Sequence, residues 1–343
     1  MRSLAFIALI GLIAIPTLAA QSKPLLTSHP GAWQPAPPIT PRLPQDLSVG
    51  ERAAITASVN QLLEIVRRMP AMAPPAGLAV VPHAFVDLLN LDHSEGKRVK
   101  YVTAEIVVSL APFEPVGRGG AVEAVEADRA AGLTLRVNDL AVLLGSETGM
   151  ADDQGAFIQR PEDPVDTIHG YPVYEEGNGE RWVMIRRNEV PFFAPVTAER
   201  YMRATIAAHE KELADVRDRR ARVPAGVPAS VVATIDEAIA SFGRRLKNDQ
   251  DALAAMSPAD RAAPVRLGAF SGEEAPVFAP ADDTGATAVV YFNPALMSPG
   301  LPRTAPQLLS VNISASDDTW PGLKARLDSE VDWSALEKFV HQQ

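Results

Sequence analysis

Cysteine is absent from the 343 residues, which removes a thiol nucleophile, a disulfide framework, cysteine-ligated zinc and iron–sulfur chemistry together. The remaining signatures of catalysis each fail at a named position. His209-Glu210-Lys211-Glu212-Leu213 begins like the helix of a zinc protease. That chemistry needs a second imidazole one turn on, so that both rings face one metal, and Leu213 stands there instead. Ser94-Glu95-Gly96-Lys97 has the spacing that sets a lysine amine beside a serine hydroxyl, but Gly96 and the preceding Asp92-His93 favour a turn. No Lys-Thr-Gly accompanies it, and Ser316-Asp317-Asp318 misses Ser-Asp-Asn. In Gly145-Ser146-Glu147-Thr148-Gly149 the central place of a nucleophile elbow is held by Glu147, so a loop is expected. Gly117-Arg118-Gly119-Gly120 matches neither the phosphate-binding loop nor the dinucleotide fingerprint.

Acidic pairs offer a second kind of chemistry. Asp152-Asp153-Gln154-Gly155 and Asp282-Asp283-Thr284-Gly285 place carboxylates in glycine-containing loops, without the alternating ligands of an EF-hand. Adjacent carboxylates repel one another, and both segments read as solvated turns. Two carboxylates that hydrolyse a glycosidic bond are defined by their separation in space, not in sequence. A hydrolase of envelope polymers using scattered carboxylates is therefore the alternative reading of this chain. Trp33, Trp182, Trp320 and Trp333 read as core or rim residues rather than sugar platforms. No catalytic residue, no metal site and no cofactor is assigned.

The elements around these residues are easier to read. Arg2, the apolar run 4–15, Pro16 and the small residues Thr17-Leu18-Ala19-Ala20 have the layout of a secretory signal. Cleavage is expected near Ala19 or Ala20, leaving a periplasmic or secreted chain. The apolar run is too short to span a bilayer, reaching only about 18 Å as helix against a hydrocarbon core of about 30 Å. No later segment has the length and apolarity of a membrane span. The net charge of −10 excludes the basic footprint of a nucleic-acid binder. Residues 21–46 form a proline-rich leader that either dangles or lies along the body.

Ser48 with Glu51 makes a capping box ahead of Ile55, Val59, Leu62, Leu63 and Val66, predicting a helix over 48–68. Strands are expected at 78–81, 99–110, 121–126, 133–137 and 181–186, with a hairpin over 171–187 turning at Asn178-Gly179. Two helices follow, 197–222 and 228–255. If they form an antiparallel hairpin turning near 225, His209 lies opposite Phe242 in the seam. Strands at 286–292 and 307–313 and short helices at 320–328 and 333–341 complete the chain. Strands that recur after the helical pair suggest one shared sheet with the helices inserted into it.

The run WVMIRRNEVPFFAPVTAERYMRATI (182–206) and the later YFNPALMSPGLPRTAPQLLSVNI (291–313) resemble stretches of a family of exported bacterial proteins of unknown function. The resemblance implies an address outside the cytoplasm rather than an activity. Physically, 182–206 reads as a strand-to-helix joint: Pro191 and Pro195 stop further pairing, Phe192 and Phe193 wedge under the next helix, and Thr197 caps it. Any binding surface at this joint would use Arg186, Phe193 and Tyr201. The expected protein is a single α+β domain over 47–343, with a mixed or antiparallel sheet and an antiparallel helical hairpin inserted at about 197–256. Its expected role is that of an exported binding or accessory protein whose hairpin meets an envelope protein partner.

Overall fold

The computed structural model of the chain describes residues 26–36 and 43–341, except 75, 93–97, 117–120, 125–131, 141–145, 153–154, 160–163, 176–179, 269–277, 281, 284 and 315–321. Residues 1–20, expected as a signal segment, Ser94 to Lys97, Gly117 to Gly120, Asp153, Asn178-Gly179 and Trp320 lie outside the described residues.

The first helix forms where the capping signal places it. In α1 (Val49–Arg68) the Ser48 hydroxyl accepts from the Glu51 N–H at 3.3 Å, and the Glu51 carboxylate accepts from the Ser48 N–H at 2.8 Å. Ile55, Val59, Leu62 and Val66 are its buried stripe, and Pro70 ends it.

That stripe faces the larger of two sheets. Its strands run β1 (Ala32–Trp33), β2 (Leu78–Asp92), β3 (Arg98–Val116), β5 (Gly132–Val137), β14 (Leu308–Ser314), β10 (Arg181–Arg186), β9 (Tyr171–Glu175) and β8 (Asp166–Ile168), with β4 (Ala121–Ala124) on the far end of β3. All these neighbours are antiparallel except β1 and β2, so the sheet is mixed. Period-two alternation divides it into two faces. The row Val183, Val311, Leu135, Ile106 packs with α1 and with α6 (Trp333–His341), burying Leu336, Phe339 and Val340. The next row, Met184, Ser310, Arg136, Glu105, lies on the opposite face. The fold is thus α+β, as expected.

A second sheet, ordered β11 (Phe193–Pro195), β13 (Thr287–Phe292), β7 (Gly155–Gln159) and β6 (Ser146–Asp152), carries β12 (Arg266–Leu267) on β13. Residues 146–149, expected as a loop, therefore belong to a strand. The pairing of β6 with β7 has an irregularity between Glu147 and Ala151, which absorbs residues of low strand preference. Pairing also resumes after Pro191, because Phe193, Ala194 and Pro195 align with Phe292, Tyr291 and Val290. Only one of the two late strands enters the main sheet: β14 lies between β5 and β10, whereas β13 serves the second sheet. The leader does not dangle where it is described. Ala32 and Trp33 pair with Ala79 and Val80, and the Trp33 indole donates to the Met72 carbonyl at 3.1 Å.

The β2 strand extends eleven residues beyond the expected 78–81. It pairs along its whole length with β3, and its alternation is blurred by Val81, Phe85 and Leu89, apolar residues on the face away from α1. A close approach on the other side of β3 explains one glycine. A Cβ on Gly132 would stand 2.0 Å from the Val108 carbonyl oxygen. Gly132→Ala is therefore expected to force β3 and β5 apart and lower stability by about 2 kcal/mol, read as a reduced midpoint in urea.

Glu51 ties α1 to the loop before β14. Arg303 donates to its carboxylate, and this guanidinium contact, with the Ser48 N–H, holds the Glu51 pKa down at about 2. A carboxyl group lowered on folding stabilises the native state above its ordinary pKa and loses that contribution as pH falls. The unfolding midpoint should decline from pH about 5 towards about 2, and Glu51→Gln should flatten that decline.

Candidate functional site

The helical hairpin consists of α2 (Ala198–Ala221) and α3 (Ala229–Ala255), about 36 and 40 Å long at 1.5 Å per residue. It leaves and re-enters the body at adjacent points. Val196 donates to Val289, Val265 donates to Val196, and Ala198 donates to Ala263, so entry and exit strands are stitched together with β13. Thr197 caps α2 through the Arg200 N–H, as its sequence position predicts. The short helix α4 (Pro258–Ala262), with its own Ser257–Asp260 capping box, closes the return.

Near this root, α2 buries Ala198, Tyr201, Met202, Ala204 and Thr205; beyond Glu210 it buries only Leu213 and Val216. Among the 27 residues of α3, Asp249 alone is buried, and its packing partner is α2. Among the described residues, the outer half of this arm packs chiefly on itself.

His209 does not face Phe242. Its Nδ1 lies 2.6 Å from Asp249 Oδ2, with the two side chains 18% and 3% exposed. Further out, Arg220 donates to Asp236 at 2.6 Å. The connection lies where expected, at 222–228 and centred on 225, but both pairs set the facing register six or seven residues further along α3 than expected.

The three residues of the expected joint surface are held in different settings. Arg186 turns back on its own loop, donating to the Val190 carbonyl at 2.7 Å and lying over the Phe192 ring at 5.2 Å. Phe193 is half-buried between the sheets, edge-on to Tyr174 at 6.0 Å, so it and Phe192 wedge against β9 rather than under α2. Tyr201 is 3% exposed, stacked on Phe157 and edge-on to Phe278. Burial raises its pKa. Tyr201 therefore packs the joint and offers no surface to a ligand.

Beside the root, a cleft of about 560 Å³ is lined by Asp152, Thr197, Glu199, Arg200 and Arg203. Its charges are already matched. Asp152 accepts two hydrogen bonds from Arg200, which also lies 3.7 Å above the Tyr291 ring, and Glu199 accepts from Arg203 at 2.7 Å. Asp152 is therefore engaged as the counter-charge of Arg200. Asp283 likewise closes a turn by accepting from Gly285 N–H at 2.8 Å. Trp182 and Trp333 are core residues, 2% and 6% exposed. Among the described residues no three His, Asp or Glu side chains gather as metal ligands, and no helix is long and apolar enough to cross a membrane.

No family model, curated protein or solved structure matches the chain. The candidate site therefore rests on geometry alone.

At the far end of the arm the charge changes sign. Arg217, Arg219, Arg220 and Arg222 stand against Asp218 alone within 217–227, on a chain of net charge −10. Arg222 pairs with Asp218 and Arg220 with Asp236, both at exposed positions where such pairs are worth little. Val231, one turn into α3, is 46% exposed. These tip residues were not singled out from the sequence, although four arginines within six positions of an acidic chain were a readable signal.

Proposed function

We propose that the protein is an exported binding or accessory protein whose arm docks through its tip on an acidic surface of an envelope protein. The observation that carries this reading is α3: twenty-seven residues with one buried side chain. Apolar positions Val232, Ile235, Ile239 and Phe242 are only half-covered by α2, and a pair of helices leaves such a seam for a further element to complete. The arginine-rich tip supplies steering toward an anionic partner, and exposed Val231 supplies an apolar anchor between the charges. Export rests on residues 1–20, whose charged start, apolar run and small-residue end fit a cleaved signal.

The test places a photo-crosslinking amino acid at Val231, and as control at exposed Val165 on the body. In the native compartment the Val231 position should yield one dominant protein adduct, identified by mass spectrometry as acidic. Arg217→Glu with Arg219→Glu should reduce it at least tenfold. Identical adducts from both positions, or an adduct indifferent to charge reversal, would contradict the reading.

A further inference from the structure

The root of the arm carries a second cleft, of about 560 Å³, where α3 returns to the body. Met256 at the end of α3, Pro264, Phe278 and Pro280 form its apolar walls, and exposed Ala263 also lines it. The Phe278 ring lies edge-on to buried Tyr201 at 5.8 Å. Phe278 also bridges to Leu267, and the Ala279 N–H donates to the Arg266 carbonyl at 2.9 Å, so this wall is fixed to β12.

Arg266 is the cation of the cleft, and no carboxylate matches it among the described residues. Its Nη2 donates to the Asp283 carbonyl at 3.2 Å and to the Ala286 carbonyl at 2.9 Å, which orient the guanidinium without neutralising it. Its Nη1 keeps both N–H groups uncommitted. Other arginines that line cavities are paired. Asp152 and Glu199 match Arg200 and Arg203 in the first cleft, and Asp166 matches Arg181 in the apolar cavity beside α5 (Leu323–Glu330). Asp260, the carboxylate on the Arg266 cleft, is engaged by the capping box of α4. It accepts from the Ser257 N–H at 3.3 Å and from the Ser257 hydroxyl at 2.7 Å.

We propose that this cleft binds an apolar molecule with a single negative charge, of the medium-chain alkyl carboxylate class. The carboxylate meets Arg266 Nη1 in a charge-assisted hydrogen bond, and the alkyl chain lies against Met256 and Phe278. The volume falls within the range of small-ligand pockets, about 300 to 1,000 Å³. A neutral chain of the same length leaves the guanidinium unmatched, and a cationic one meets it as a like charge. Asp260 on the same cleft penalises a second negative charge, which favours a carboxylate over a phosphate monoester.

Calorimetric titration of the full mature chain tests this with octanoate, alongside 1-octanol, octylammonium and octyl phosphate. One-site saturation by octanoate is expected below about 1 mM, with each of the other three at least tenfold weaker. Arg266→Gln should weaken octanoate at least tenfold, to the level of 1-octanol. Because Arg266 also holds two carbonyls, a second variant leaves it in place: Ala263→Trp, at an exposed position, fills the cleft and should abolish binding of octanoate. No saturation by octanoate up to about 5 mM, 1-octanol binding as tightly as octanoate, or either variant binding octanoate like the parent would each overturn the proposal.

Discussion

Asn138→Ala is expected to destabilise the protein by about 4 kcal/mol, although the residue touches no cleft or arm. Asn138 is fully buried at the end of β5, with φ at 55°. Its Nδ2 donates to the Ala305 carbonyl at 2.9 Å and to Val102 at 3.3 Å, and its Oδ1 accepts from the Gln307 N–H at 2.8 Å and the Leu308 N–H at 3.2 Å. One amide therefore pins β3, β5 and the start of β14 together in the middle of the sheet. Alanine leaves buried backbone groups without partners, each costing about 1–3 kcal/mol, and tolerates the left-handed region less well than asparagine, by about 1 kcal/mol. Asn138→Gly removes the second cost but not the first, so it should be the milder variant by about 1 kcal/mol. Urea denaturation of the three proteins measures both differences. Equal stability of Asn138→Ala and the parent would show that the amide is not the clasp.

The second large effect is local to the arm. His209→Ala strips the buried Asp249 carboxylate of its described partner. Leaving a buried carboxylate without its hydrogen-bond partner costs about 3 kcal/mol. Because the outer arm packs chiefly on itself among the described residues, that cost should appear as opening of α2 and α3 rather than global unfolding. Amide exchange within 205–255 should accelerate about a hundredfold, at 1.4 kcal/mol per factor of ten, while β3, β5 and β14 keep their protection. Replacing both partners, His209→Phe with Asp249→Leu, should restore slow exchange, since an apolar pair carries no desolvation penalty. Uniform acceleration throughout the protein would mean that the arm and the sheet open as one unit.

Much of the architecture was legible where a local rule decides the outcome. The Ser48–Glu51 box, the Thr197 cap and the three-to-four spacing of α3 each depend on residues within one or two turns. So does the β9–β10 hairpin, whose register pairs Trp182 with Tyr174 and Val183 with Val173. Of the second sheet only β13 was legible; its other strands were not, because short segments such as Phe193–Pro195 become strands only when a distant partner, here β13, supplies the other half of the ladder. The turn of the arm was placed correctly, but the facing register was off by six or seven residues along α3, because helical seams repeat closely enough that neighbouring registers look alike. The Asn138 clasp joins residues more than 160 positions apart, beyond any local pattern. Arg186, Phe193 and Tyr201 were grouped by nearness in sequence, while the joint turns Arg186 into its own loop and Tyr201 into the core.

The central claim, that the outer arm exists to meet a partner and not to hold the fold, is tested most directly by shortening it. Leu213 and Arg245 lie at facing levels of the two helices, just outside the His209–Asp249 pair, so residues 214–244 can be replaced by a short Gly-Asn loop without touching the root. The shortened protein should unfold at the same urea concentration as the parent after allowance for its smaller size. When it competes with the full chain carrying the crosslinker at Val231, it should leave the adduct undiminished, whereas excess unlabelled full chain should abolish it. A shortened protein that fails to fold, or that competes as well as the full chain, would contradict the account.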